Sequence, residues 1–577
     1  MQKLFFFLCS CLSFYCQAQT TPKTIFEISG GSKTPTYPEV INWWKKLDAS
    51  SPFVYMKEMG PTDAGFPLHI VMVSKDRDFD LASIKKKKKA VILVMNGIHP
   101  GEPDGIDASM LWIRDLVKNS SGLPSNVLIA IIPVYNIGGA LNRSANYRVD
   151  QNGPDEFGFR GNSQNYDLNR DFIKADSKEA LSFSRLFHDL EPDVFIDNHV
   201  SNGADYQHVM TLLTTQHDKL GGKLGEYINK EFEPALYSSM KEKGWDLVPY
   251  VNHFGETPDK GWSEFWDSPR YSSGYAALWN SFSFVPETHM LKPYSQRVAA
   301  TKDLMKTFLE FTSKNAAEII RLRTEAKNEQ LKQDSFPIAW KWNRSRFSEI
   351  NFKGFESGKK PSEVSGQMRL YYDRSKPFEK KIPFYNFYKD TLSIKKPAAY
   401  LIPQGWWKVI ERLEANGVRM NRINHDTIIE VEWYRIENYQ SGARPYEGHH
   451  MNTNVQVSTK KEKISFRKGD WYIPLNQPAA KFLMATLEPQ GEDSYFAWNF
   501  FDPILGQKEG FSDYVFEETA AGFLKKNPDV QKKLEERKVS DSAFAKNGRA
   551  QLNFVFQNSP YYEPDHMRYP VYRVLQK

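Results

Sequence analysis

AVILVMNGIHPGEP, residues 90–103, opens as an unbroken apolar run and closes as a polar loop holding a histidine and a glutamate three apart. The run from Ala90 to Met95 reads as a strand covered on both faces. Two prolines and two glycines keep the following loop out of regular helix. Beyond it, Ile106, Met110, Ile113 and Val117 recur at helical spacing. Val127 to Tyr135 is a second buried strand, Val194 to Ile196 a third and Phe282 to Val285 a fourth. Phe183, Leu186, Phe187 and Leu190 mark one face of an intervening helix, with Asp176 and Glu179 as its expected capping box. Upstream, residues 38 to 60 read as a helix bearing Trp43, Trp44 and Leu47, then a strand; Phe66 to Ser74 reads as another strand. Strands alternating with helices predict an α/β fold, a mostly parallel or mixed central sheet with helices on both faces. Such sheets place ligands just beyond the carboxyl ends of their strands, where His99 and Glu102 fall.

Three further segments carry chemistry. In Asp193–His199, a short buried strand again ends in a polar group with a histidine, His199. Two imidazoles and one carboxylate suit Zn²⁺ and leave a fourth position for water, the arrangement of a catalytic site. In Tyr166–Phe172 (YDLNRDF), Asn169 beside Arg170 offers an amide and a planar two-pronged donor that can hold a carboxylate; a surface ion pair with Asp167 or Asp171 is the plainer reading. In Ser281–His289, an aromatic strand ends at Glu287, placed to take a proton from water and pass it to a leaving amine. Taken alone, each segment is weak, and His-x-x-Glu occurs by chance in many chains.

Taken in order, His-x-x-Glu, Asn-Arg, His and a late strand-end Glu resemble the zinc metallocarboxypeptidase family, in an exported form with a C-terminal accessory region. The resemblance covers roughly residues 37 to 312, with the Tyr37-Pro38-Glu39 opening and the Gly60–Gly65 hairpin included. It implies a carboxypeptidase-like fold and one Zn²⁺ per chain on His99, Glu102 and His199. It implies Glu287 as base and proton shuttle, and Asn169 and Arg170 gripping the terminal carboxylate of a peptide or peptide-like substrate. For the family's carbonyl-polarising arginine, Arg160 is the best match, Arg148 the rival and Arg143 the third choice. For its mobile tyrosine, Tyr271 matches, with Tyr275 close behind. Asp197 is placed to orient a ligand imidazole. The implied reaction is hydrolysis of an amide bond next to a free carboxylate by metal-activated water, the work of a metallopeptidase.

The rest of the chain sets bounds. Its 577 residues are too many for one ordinary domain. A formal charge of +6 on 76 cations and 70 anions gives no case for nucleic acid. The lysine run Lys85–Lys89 precedes a strand and reads as a solvated loop. Residues 1–19 have a cationic start, an apolar stretch and a small residue before the cut, and read as a signal peptide, so the chain is expected to be periplasmic or extracellular. All three cysteines, Cys9, Cys11 and Cys16, fall in that segment, which leaves no thiolate for a metal in the mature chain. No other run is long enough to span a membrane. Residues 25–335 are expected to form the catalytic domain, closed by a helix from Ser295 to about Lys332; residues 336–577 are expected to be an accessory region of mixed strands and short helices that narrows the cleft. His449 and His450 are adjacent, point to opposite faces of a strand and so make a poor second metal site. Three rivals share these residues: an N-acyl-amino-acid deacylase of the aspartoacylase kind, a cell-wall peptide hydrolase, and a binding protein with a dead catalytic domain. The last would be expected to have lost a ligand or the base, and all four groups are present.

Overall fold

The computed structural model describes residues 22–575. The signal-peptide reading of residues 1–19 lies outside them. Among the described residues, no helix is long and apolar enough to cross a membrane.

The N-terminal half is built on a nine-stranded mixed sheet. Its strands are β1 (Val54–Pro61), β2 (Pro67–Val73), β3 (Ala90–Met95), β4 (Val127–Ile132), β5 (Val194–Asp197), β6 (His199–Ser201), β7 (Met210–Thr214), β8 (Val248–Pro249) and β9 (Phe282–His289). The spatial order is β1-β2-β4-β3-β5-β9-β7-β8, with β6 paired to β9. The centre, β4-β3-β5-β9, is parallel. The antiparallel pairs β1-β2, β2-β4 and β9-β7 flank it. Five helices matter here: α1 (Tyr37–Ser50), α2 (Asp104–Lys118), α3 (Lys178–Leu190), α4 (Ser272–Leu278) and α5 (Tyr294–Lys332).

The apolar run that opens the chain's reading is continuous because both sheet faces are covered. Ala90, Ile92 and Val94 enter one core, with Trp44 of α1 and Phe308 of α5. Val91, Leu93 and Met95 enter the other, with Phe183 of α3 and Tyr275 of α4. The period of two sends alternate residues to opposite cores. Each buried Val, Ile, Leu or Met of the strand contributes about 1.5–3 kcal/mol of transfer free energy.

The second core does not stop at the N-terminal half. Tyr400, Leu413, Phe482 and Trp498 belong to it, and Trp279 stacks on Phe482 with ring centres 5.1 Å apart. After α5 the chain forms a long hairpin, Ser348–Pro361 with Met368–Tyr385, and a six-stranded sheet containing a second hairpin, Thr427–Ser441 with Asn452–Phe466. Residues 335–400 have little readable period, yet they are largely strand. Their outer arms are exposed, with no buried face to impose a pattern, while the base of the hairpin packs Phe352, Ile382 and Phe384 into a small separate core. A helical cluster between Asp513 and Gln557, which the sequence reading passed over, closes around Phe516, Leu534 and Phe556.

One local expectation is corrected. The helix α3 is capped by Ser177, whose hydroxyl accepts from the Ala180 amide at 3.1 Å, and not by an Asp176–Glu179 box. Asp176 is drawn away by Lys174, Arg412 and His449.

Candidate active site

His99 and Glu102 occupy the turn between β3 and α2. The Glu102 amide donates to the His99 carbonyl at 2.9 Å, and this tight turn puts both side chains on one side. Gly97 opens the turn at φ +65°. Gly105, in the first turn of α2, lets the helix close on β3: a Cβ there would lie 2.4 Å from Asn96 Oδ1 and 2.5 Å from the Asn198 side chain. His199 begins β6, and the parallel pairing of β6 with β9 sets it level with Glu287. Strand register, not sequence proximity, brings the late glutamate to the histidine.

One atom from each of His99, Glu102 and His199 falls within 4.8 Å of the others. His99 Nδ1 lies 3.2 Å from Glu102 Oε1, and His199 Nδ1 3.1 Å from Glu102 Oε2. Donors that each stand about 2.0–2.2 Å from one zinc are separated by about 3.2–3.5 Å, so the cluster fits that ion. The outer nitrogens agree with this. His99 Nε2 meets Asp167 Oδ1 at 2.9 Å, and His199 Nε2 meets Asp197 Oδ2 at 2.9 Å. Each imidazole is tied through Nε2, which turns Nδ1 toward the shared carboxylate. His99 Nδ1 is buried with no hydrogen-bond partner, a donor atom aimed at a site for a cation. The Val200 amide donates to Glu102 Oε2 at 2.9 Å and fixes that carboxylate further.

A cavity joins these groups to Arg148, Arg160, Asn169, Arg170, Tyr271 and Glu287. The residues singled out from sequence as ligands, base, oxyanion group and carboxylate grip are thus gathered around one space; Asp197 stands behind His199, and the alternatives Arg143 and Tyr275 lie elsewhere. Arg143 pairs with Glu156 and with the carbonyls of Thr34 and Pro35. Tyr275 is sealed in the core, its hydroxyl donating to Asn416 Oδ1 at 2.6 Å. The two remaining arginines differ. Arg148 gives Nε to Gln151, Nη1 to Glu102 and Nη2 to the Val200 carbonyl. Arg160 gives Nε to Asp167 at 2.9 Å and keeps its side chain 46% exposed. Arg170 lies over the Tyr271 ring at 4.6 Å.

Burial pushes the Glu287 carboxyl up to about 8; the Glu102 and Asp197 charges add to that, and His199 and Arg160 oppose it. Burial also raises Asp167, but His99 and Arg160 outweigh it and hold this acid well below the usual carboxylate range. From sequence, Asp167 offers only an ion pair with Arg170. The structure makes it the link between a metal-site imidazole and two arginines. Its place two residues before Asn169 carries no signal for that role. Further walls include Leu213, Tyr250, Phe265, Ser272, Ser273 and Val285. Away from this cavity, His208 bonds the Asp246 carbonyl and the Lys353 amide, while His449 bonds Asp176 and its neighbour His450 bonds the Gly442 carbonyl, so those two adjacent imidazoles serve different partners.

Residues 40–210 match the family model for zinc carboxypeptidase. Carboxypeptidase 2 of Trichophyton tonsurans is 22% identical over 522 residues, spanning 85% of this chain and 89% of that protein. Carboxypeptidase 2 of Trichophyton rubrum is 22% identical over 521 residues, with the same coverage. Among solved structures, carboxypeptidase A from Helicoverpa armigera has a TM-score of 0.36 at 15% identity, over 51% of this chain and 75% of that one. A metallo-carboxypeptidase from Pseudomonas aeruginosa has a TM-score of 0.36 at 12% identity, over 48% and 68%.

Proposed function

We propose that this protein, a metallopeptidase by its zinc carboxypeptidase domain, removes the last residue of a peptide that ends in a free carboxylate. The observation that carries the reading is the single cavity in which the His99–Glu102–His199 cluster and Glu287 face Asn169 and Arg170. One zinc ion per chain would be held by the three clustered residues, where it would lower the pKa of water and polarise a carbonyl.

The chain's own groups divide the remaining work. Glu287 takes a proton from water and gives it to the leaving amine; its raised pKa suits it to do both near neutral pH. Arg160 neutralises the developing oxyanion. Arg148 is the weaker choice because each of its donor nitrogens already has a partner. Arg170 and Asn169 receive the terminal carboxylate, and Tyr271, packed under the Arg170 guanidinium, borders the same end. Leu213, Phe265 and Val285 make the cavity wall partly apolar. The character of residues 1–19 supports an exported enzyme.

Paired peptides, one with a free C-terminus and one amidated, test the reading. The zinc-loaded protein is expected to release the last residue only from the free form, and Arg170→Ala to raise KM for it about 30- to 100-fold. Equal rates on both forms by the unmodified protein would overturn the assignment of the carboxylate end.

A further inference from the structure

The hairpin Thr427–Ser441/Asn452–Phe466 ends in a loop that reaches Arg170, a residue of the cavity wall, from the C-terminal region. At its tip, Tyr446 and His449 exchange backbone hydrogen bonds of 2.7 and 3.0 Å. Glu447 and Gly448 between them have φ +48° and +81°, a tight two-residue turn. The turn is seated from below. Gly448 lies on the Tyr166 ring, where a Cβ would come 3.0 Å from Cε1. His449 Nε2 reaches Asp176 at 2.7 Å, and the Tyr446 ring stacks on Trp498 at 6.1 Å.

From this seat the turn touches two groups of the carboxylate end. The Tyr446 hydroxyl accepts from Arg170 Nε at 2.8 Å. Glu447 Oε2 accepts from the Asp167 amide at 2.8 Å. A third contact steadies the neighbourhood: Arg270, next to Tyr271, bonds the buried Asp493 at 2.8 Å. With Nε on Tyr446 and Nη1 on the Asn169 carbonyl, Nη2 of Arg170 keeps its hydrogens for a ligand in the cavity that this side chain lines. An arginine already held through two nitrogens loses less freedom when a carboxylate binds it.

We infer that the Tyr446–Glu447 turn is a positioning element: the C-terminal region presents it across the site to fix Arg170 and the Asp167 loop for the substrate carboxylate. This rests on the carboxypeptidase reading above. It gives the C-terminal region a part in substrate binding beyond narrowing a cleft.

The test uses the full-length zinc-loaded protein and the same peptide pair. Tyr446→Phe removes only the acceptor and is expected to raise KM for the free-carboxylate peptide ~5- to 10-fold, with a far smaller change in kcat. Gly448→Ala keeps the hydroxyl but strains the turn against Tyr166, and is expected to raise the same KM. Binding of N-acetylphenylalanine, measured by calorimetry, should weaken in parallel, with unfolding temperature and zinc content held as checks on structure. If the unmodified protein is active but neither variant moves KM, or if kcat falls as much as KM rises, the inference is wrong. If the unmodified protein shows no preference for the free carboxylate, the functional reading fails and takes this inference with it.

Discussion

The two ends of the cavity are built differently. At the metal end, all three candidate ligands come from the N-terminal half and are almost sealed, with His99, Glu102 and His199 between 2% and 4% exposed. At the other end, the Arg170 side chain is 21% exposed, and a partner of Arg170 lies 276 residues further along the chain. A metal ion needs donors fixed before it arrives. Strand ends and a tight turn supply that from the N-terminal half. A substrate end must admit a new chain each turnover, so its charged groups stay accessible and are braced from outside.

The largest break between the ends should come at Glu287. Glu287→Gln removes the proton carrier but none of the three clustered residues, so turnover is expected to fall by about 10²–10⁴-fold with zinc content and KM little changed. The unmodified enzyme should also lose rate as pH falls through the Glu287 pKa, because only the ionised carboxylate can take a proton. Burial places that pKa high, and a bound cation would lower it. The acid limb of the pH–rate profile should be absent from the residual activity of the Gln variant. A variant with near-normal turnover would remove Glu287 from the mechanism.

The next break compares two acids in matching positions. Asp197 serves only the metal end, through His199. Asp167 serves both, through His99 and through Arg160 and Arg170. Asp197→Ala is expected to weaken zinc binding by about 10- to 100-fold, read by chelator competition, and to leave the preference for free over amidated peptides intact. Asp167→Ala should lower zinc affinity and erode that preference together. If the two variants behave alike, the division of the cavity into separately built ends is wrong.

The two ends were also unequally legible. His99, Glu102, His199 and Glu287 could be found in sequence because each follows a buried strand, and runs such as Ala90–Met95 and Phe282–Val285 declare themselves by composition alone. Arg170 was legible beside Asn169, but its brace was not. Tyr446 sits in a turn beyond the ends of two long strands, and its contact with Arg170 depends on how the C-terminal region packs on the N-terminal half. The choice between Tyr271 and Tyr275 was open for a similar reason. Both lie near the start of α4, and only the helix's orientation sends one to the cavity and the other to Asn416. The shared second core likewise joins residues such as Phe183 and Trp498 that no local pattern links.

The smallest effect is expected at the seam that holds the C-terminal brace in place. His188 Nε2 lies 3.2 Å from the Tyr275 hydroxyl and 3.4 Å from Asn416 Oδ1, which belongs to the C-terminal region. Burial lowers the pKa of His188 to about 4, although Asn416 acts the other way. Unfolding exposes the imidazole and returns it to near 6.5. Between those values the unfolded chain binds more protons than the folded one, so stability is full above about pH 6.5 and is lost as pH falls toward 4. The shift corresponds to at most about 3 kcal/mol. His289, buried and lowered to about 4, should add a second share with the same sign. Urea midpoints of metal-stripped protein at pH 7 and pH 4.5 would show the loss, and His188→Gln should shrink it without abolishing it. Stripping the metal matters because ligand imidazoles also protonate in this range and would release zinc. An unchanged pH dependence in the variant would mean that the seam tolerates a charged imidazole, and that the carboxylate end is braced by contacts other than this one.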